Sequence, residues 1–370
     1  MGKPKRVGVM TGGGDCPGLN AVIRAVVKTG IEKYGFEIFG VEDAFDGLID
    51  LDSHSPDGNR WLTIRDVRDI ISHGGTILGT SSRGGPFRHV VQMPDGTDVE
   101  TDVSDRVMEN MRKVGLDAII SIGGDGSMAI NKRFMDKGMS VIGVPKTIDN
   151  DLGATDQTFG FDTAVGIATE AIDRLRDTAA SHDRVMLVEV MGRDAGWIAL
   201  HAGLAGGADA ILIPEIPYRI EALSKMIESR DTNGKKFSVI VVSEGAKPMG
   251  GEASVGERPI GGMPRLMGAA QRVAEGLRTK VRSDIRVTVL GHIQRGGTPS
   301  SFDRILATRF GRAAVDLVAK EQFGRMVALR DGEITSIPIA DAIAKPKRVP
   351  LDSDLIATAR ALGTYFGDEA

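Results

Sequence analysis

The sequence is poor in cysteine, in long apolar runs and in net positive charge, and each shortage removes a class of protein. Cys16 is the single cysteine in 370 residues. It excludes an internal disulfide and any thiolate-based metal centre, and it fits a reducing compartment. The longer apolar runs, such as Phe237 to Val242, stop far short of the roughly 20 residues that span a bilayer. The N-terminal MGKPKRVGVM is basic, but its apolar stretch is too short for a secretory signal. A net charge of −4 argues against wholesale nucleic-acid binding, which goes with a basic face. A cytoplasmic location is the expectation.

Glycine is what the chain has in excess. There are 48, roughly twice average usage, and so many imply turns or close backbone approach to a ligand. The apolar fraction of 41% and charged fraction of 26% are ordinary for a globular protein, and the length suits two domains.

Arg6 to Thr11 reads as a buried strand, Gly12 to Gly18 as a loop, and Leu19, Val22, Ile23, Val26 and Val27 as the apolar face of a helix. The alternation recurs. Ser104 is a plausible N-cap for a helix carrying Val107, Met108, Met111 and Val114, with Gly115 beyond its end. Asp117 to Ile122 and Ser140 to Val144 are apolar runs. Val165, Ala168, Ile172, Leu175 and Ala179 place a longer helix over Thr163 to Ala179. Val185 to Val190, Ala210 to Ile213, Ser238 to Val242 and Val287 to Leu290 read as further strands. Continuous apolar strands alternating with helices imply doubly wound α/β architecture with mainly parallel sheets, whose sites lie past the carboxyl ends of the strands. Lys247 to Met267, rich in Gly and Pro, reads as a surface insertion or mobile loop.

Four features fall where strands should end. Thr11-Gly12-Gly13-Gly14-Asp15-Cys16-Pro17-Gly18-Leu19-Asn20 joins the first strand to the first helix, an arrangement that cradles anions, although a tight glycine turn is the plainer reading. In Gly123-Gly124-Asp125-Gly126-Ser127 the carboxylate suits either Mg²⁺ or a helix cap. Pro145-Lys146-Thr147-Ile148-Asp149-Asn150-Asp151 offers a general base, a metal contact and a phosphate contact, or else a structural Asx turn. The fourth is a set of arginines: Arg184, then Met191-Gly192-Arg193, then Arg286 with His292-Ile293-Gln294-Arg295-Gly296-Gly297. Guanidinium forks suit phosphate. Arg174, four residues after Glu170, reads instead as a solvated ion pair. Cys16 reads as a packed thiol, and His73, His89, His182 and His201 have no metal-like spacing.

Taken in order, TGGGDCPGLN, GGDGS, PKTIDND, VEVMGR and GHIQRGG resemble the phosphofructokinases across Thr11 to Gly297. NAD kinases and diacylglycerol-type lipid kinases carry a similar GGDG turn but lack PKTIDND and GHIQRGG. The resemblance implies donor phosphates held by Gly14, Gly124, Asp125, Gly126 and Ser127, with Lys146 and Arg83 beside them and Mg²⁺ on Asp125. It implies that Asp149 takes a proton from the 1-hydroxyl of fructose 6-phosphate, that Thr147 and Asp151 assist, and that Arg193 neutralises the transferring group. Met191, Gly192 and Glu244 would contact the sugar, and Arg184, Arg286, His292 and Arg295 its 6-phosphate. The counterparts of Arg184 and Arg286 come from a neighbouring subunit, which implies a homodimer or homotetramer with shared sites. A donor-binding lobe over residues 1–160, continued by about 294–346, and a sugar-phosphate lobe over 161–293, continued by about 347–370, complete the expectation.

The donor is read from two residues that disagree. Lys146 resembles the pyrophosphate-using members. Gly126 leaves room for a third phosphate where those members carry aspartate, and it makes ATP the expected donor. A catalytically dead regulatory subunit would lack Asp149 or Arg193, and both are present.

Overall fold

The computed structural model describes residues 5–52, 60–81, 85–93, 95–256 and 266–368. In chain order the first part runs β1 Arg6–Thr11, α1 Leu19–Tyr34, β2 Glu37–Gly40, α2 Asp46–Ile49, β3 Arg60–Leu62, β4 His89–Gln92 and β5 Asp98–Thr101. Next come α3 Ser104–Val114, β6 Ala118–Gly123, α4 Asp125–Asp136 and β7 Val141–Pro145. A middle part comprises α5 Phe161–His182, β8 Val185–Val190, α6 Trp197–Ala205, β9 Ala210–Leu212, α7 Ile220–Thr232, β10 Ser238–Ser243, α8 Ala269–Arg278 and β11 Ile285–Val289. After a 3₁₀ turn at Gly291–Arg295 the chain ends with α9 Ser301–Ala319, β12 Arg325–Arg330, β13 Glu333–Pro338, α10 Ile339–Ala342 and α11 Asp354–Ala361.

Two sheets organise these elements. The first has the order β13-β12-β7-β6-β1-β2-β3, parallel except at its edge strands β13 and β3. The second, β11-β8-β10-β9, is wholly parallel. Strand alternation explains how both faces are covered. Val7, Val9, Ile120 and Val144 point to one side of the first sheet, into a core with Leu19 and Val22 of α1 and Phe310 and Ala314 of α9. Met10, Ile119 and Val141 point to the other, against Val107 and Met111 of α3 and Met128 and Phe134 of α4. The first core runs on without a break through Ala168 and Ile172 of α5 to Val188 and Val241 of the second sheet. A single apolar interior therefore ties the two sheets together.

The α/β reading of the sequence stands, and strands β1 and β8 begin and end where the apolar runs placed them. Ser104 differs. It is the first residue of α3, Val103 holds the cap position, and the carboxylate of Asp102 just before it accepts from Ser104 N at 2.9 Å. A carboxylate there also opposes the positive end of the helix dipole. Gly115 closes that helix in the left-handed conformation, φ 78°. Of the Lys247 to Met267 segment, residues 257–265 lie outside the described residues. Its described ends carry isolated bridges, Tyr218 with Pro248 and Val255 with Leu266.

Candidate active site

Strand β1 passes to β2 on one side, and the chain later returns to β6 on the other, so the loops after β1 and β6 flank a topological switch point. A crevice opens at such a point beyond the carboxyl ends of the strands. The two loops interlock there. Gly12 N donates to Ile122 O at 2.9 Å, and a Cβ on Gly12 would stand 3.0 Å from Ser127 Oγ of the facing loop, so glycine there eases their approach. Residues after α2 close one side: Thr80 Oγ1 donates to Gly13 O at 2.6 Å and Gly13 N to Ser81 O at 2.9 Å. Arg83, the next residue but one, lies outside the described residues. Asp125 and Gly126 are exposed in the first turn of α4, and nothing lies within 4 Å of where a Gly126 side chain would begin.

The loop after β7 brings buried charge to this crevice. Lys146 is 4% exposed and its Nζ donates to Gly14 O. Burial holds its ammonium below the ordinary lysine range. Asp149 is also 4% exposed. Its backbone N–H donates to Thr147 Oγ1 at 3.1 Å, while its Oδ1 is buried and accepts no hydrogen bond among the described residues. Burial pushes its carboxyl up, against the pull of Arg295, Arg193 and Lys146. Asp151 is pushed up to about 7, first by burial and then by the charges of Asp149 and Asp125. The turn between these acids passes through Asn150 in the left-handed region, φ 51°, which asparagine tolerates better than most residues.

The second sheet supplies the opposite wall. Arg193 follows β8 with φ 49°, a conformation that costs a non-glycine residue roughly 1–2 kcal/mol. Its backbone N–H donates to Glu244 Oε1 at 3.0 Å, and a Cβ on Gly245 would fall 1.9 Å from Arg193 O. Burial raises the Glu244 carboxyl, and the N–H groups of Arg193 and Gly192 partly offset it. Arg295, at the end of the 3₁₀ turn after β11, crosses to the first sheet and donates to Asp15 O at 3.2 Å. Its Nη1 stands 2.8 Å from where a Gly14 side chain would be. His292 is exposed on that turn, and Met191 and Gly192 lie in the loop it packs against.

Loops from both sheets thus meet around a carboxylate with one unpaired oxygen, Asp149 Oδ1, flanked by two guanidiniums and an ammonium. Arg184 and Arg286 do not join them within one chain. They sit at the opposite end of the second sheet, before β8 and at the start of β11. Six strand residues (about 20 Å) separate that end from Arg193. Both donate to Asp284 Oδ2, each through Nε at 3.0 Å. Sequence reasoning gave no role to Gln294, fully buried, whose amide joins Gly291 O (3.0 Å) to Met191 N (3.4 Å) and so fixes the 3₁₀ turn on β8. It also passed over Asn20, whose side chain holds His73 O, Gly74 O and Ile77 N beside the β1 loop. Both lie inside the conspicuous motifs TGGGDCPGLN and GHIQRGG, where an uncharged amide carries no charge signal beside arginines and aspartates.

Among the described residues no three His, Cys, Asp or Glu side chains form a ready metal cluster. Asp125, exposed and close enough to Asp151 to raise it, is the oxygen donor available to a hard cation. Such a cation binds through one or two carboxylates with substrate phosphates and water completing its shell. Among the described residues no helix is long and apolar enough to cross a membrane.

The class defined by this fold and site is a two-sheet α/β phosphotransferase. The model of the phosphofructokinase family matches residues 6–318. An ATP-dependent 6-phosphofructokinase of Chloroflexus aggregans is 50% identical over 370 residues, 99% of either chain. A pyrophosphate–fructose 6-phosphate 1-phosphotransferase of Amycolatopsis mediterranei is also 50% identical, over 94% of this chain and 97% of its own. The solved phosphofructokinase of Saccharomyces cerevisiae superposes with a TM-score of 0.76 at 31% identity, over 97% of this chain and 46% of that larger one. The chain belongs to the phosphofructokinase family.

Proposed function

We propose that the protein transfers the γ-phosphoryl group of ATP to the 1-hydroxyl of fructose 6-phosphate, as an ATP-dependent 6-phosphofructokinase. The observation that carries this reading is Asp149, buried with a free Oδ1 among Arg193, Arg295 and Lys146. Its carboxyl, raised by burial, is a better acceptor of a hydroxyl proton than an ordinary aspartate. Arg193 and Lys146 answer charge on the moving phosphoryl group, the part of phosphoryl transfer that protein electrostatics serves best. The β1 and β6 loops offer backbone N–H groups to the donor phosphates, with Gly126 leaving room beside them. Glu244 and His292 face the sugar phosphate with Arg295. Asp125 would hold Mg²⁺, which when bound neutralises donor phosphate charge. Residues 1–160 with 294–346 act as the donor lobe and 161–293 with 347–370 as the acceptor lobe, in the cytoplasm with other phosphorylated metabolites.

Arg184 and Arg286 bind the 6-phosphate in the site of a neighbouring subunit. Their place at the far end of the second sheet supports that arrangement, because within one chain they do not reach Asp149. The enzyme is then a homodimer or homotetramer.

Pyrophosphate as donor is the second reading, favoured by Lys146, whose ammonium reaches across the mouth of the phosphate loop to Gly14 O. A lysine attracts the phosphates of either donor, whereas a charge repelling a third phosphate would discriminate. Such a charge is missing at Gly126. Steady-state assay with fructose 6-phosphate, Mg²⁺ and either donor decides between them. A kcat/KM for ATP at least about tenfold above that for pyrophosphate is expected. The reverse order overturns the donor, and no turnover with either overturns the reading.

A further inference from the structure

Lys347 lies some 50 residues beyond the last recognisable motif, yet its backbone and side chain are both bound to the loops around Asp149 and Arg193. Its backbone N–H donates to Asp151 O at 2.7 Å, on the loop after β7 of the first sheet. Its carbonyl accepts from Trp197 Nε1 at 3.0 Å, at the start of α6 and four residues after Arg193 of the second. Two residues on, Val349 N donates to Glu215 Oε1 at 2.9 Å, and both oxygens of Glu215 accept from Gly196 N at 3.1 Å. Residues 345–349 therefore form a clasp between the two loops. Gly153 lies so close beneath it that a Cβ there would stand 2.6 Å from Lys345 O.

Any amino acid supplies those backbone bonds, so the lysine side chain needs its own reason. Its Nζ donates to Asn150 Oδ1 at 3.2 Å and to Asp156 O, and it stands 5.2 Å over the Trp197 ring. An ammonium has three donors and no acceptor, and here they are met by two neutral oxygens and a π face, with no carboxylate at contact distance among the described residues. Asn150 is the residue in left-handed conformation between Asp149 and Asp151. Its Oδ1 also accepts from Thr158 N at 3.2 Å, and Thr158 Oγ1 in turn donates to Thr147 O at 2.7 Å. The turn that aims both acids is thus pinned through one carboxamide, and Lys347 is the charged half of the pin. Burial brings the ammonium down to about 8, with Asp156 and Asp151 opposing the shift, and the same charge helps hold neighbouring His201 down.

We infer that Lys347 is a positioning residue, which fixes Asn150 and with it the aim of Asp149 while joining that loop to the one bearing Arg193. It touches none of the reacting groups. The inference rests on the proposed role of Asp149, and its tests separate the two.

Misplacing a base by about an ångström lowers turnover on the order of 10- to 100-fold. Lys347→Met should therefore lower kcat by about that factor with KM for fructose 6-phosphate little changed, while the variant still melts cooperatively. Lys347→Arg, which restores charge and donors, should regain most of the loss. In an Asn150→Ala background Lys347→Met should cost little more, because the pin is already broken. Hydrogen exchange should quicken over residues 147–151 in Lys347→Met, a readout independent of turnover. Unchanged kcat, a defect in KM alone, or losses that multiply fully in the double variant would each overturn the inference. If Lys347→Met does not fold, Lys347→Gln is read by the same criteria. An inactive wild type overturns the functional reading, and exchange over residues 147–151 then decides the role of Lys347.

Discussion

Replacing Asp151 with asparagine is expected to make the ligand-free protein more stable and the enzyme less active, with the stability gain growing as pH rises. Burial and the charges of Asp149 and Asp125 push the Asp151 carboxyl from 3.8 up to about 7. Ionising it in that setting costs roughly 4 kcal/mol more than in the unfolded chain. The sign follows from linkage: a pKa raised by folding gives stability that is complete below the unfolded value and is lost as pH rises through the folded one. Asparagine never ionises and keeps that stability throughout. For a chain of 370 residues, an unfolding entropy of about 2.1 cal/mol/K per residue converts 4 kcal/mol into about 5 °C of melting midpoint. Thermal unfolding of both proteins without phosphate ligands, with a chelator present, measures it. The variant should melt about 5 °C higher at about pH 8.5, and only about 2 °C higher at about pH 5, where most of the penalty has not yet developed. A difference that does not change with pH, or a wild type more stable at alkaline pH, would refute the electrostatic account. Stability stored against function in this way is common in active sites, where like charges are held together for the substrate.

Three further outcomes test the site. Asp149→Asn should lower kcat by about 10²–10⁴ with KM for fructose 6-phosphate little altered, and near-normal turnover in steady-state assay would remove Asp149 from the role of base. Gly126→Asp should leave the melting midpoint little changed, since nothing lies within 4 Å of where its side chain would begin, while repulsion of about 1–4 kcal/mol lowers kcat/KM for ATP by about 5-fold to several hundredfold; equal use of ATP would show that the third phosphate does not pass there. Mixing inactive Arg184→Ala and Asp149→Asn subunits after dissociation should rebuild active sites, and failure to recover any activity in the reassociated mixture would exclude a site shared between subunits.

The sites at the strand ends were the most legible part of the sequence. A parallel strand buried on both faces is a short apolar run, and the residues that follow it have to turn, so Gly14, Gly124 and Lys146 declared themselves by position. The edges of the first sheet were less visible. Strand β13 has exposed and half-buried residues in alternation, and β3 is three residues long, so neither makes a run that stands out. The start of α3 was less visible for a related reason: serine favours the cap, and only the backbone shows that Val103 holds that position and Ser104 sits one place inside.

What the sequence determined by itself was local. Short continuous apolar runs and period-three-to-four spacing set strand against helix, glycine marked where backbones approach, and motif order placed the chain among the phosphofructokinases. Tertiary structure decided which loops face one another. Arg295 against Gly14 O's neighbour Asp15, Glu244 beneath the backbone of Arg193, and Lys347 on Asn150 are pairings across 51 to 280 residues. It also kept Arg184 and Arg286 away from Asp149 within one chain, although the resemblance implies one site for all three. Spacing along the chain reports neighbours within a turn of helix or a pair of strand residues, whereas these contacts follow from strand order and from one apolar core shared by both sheets.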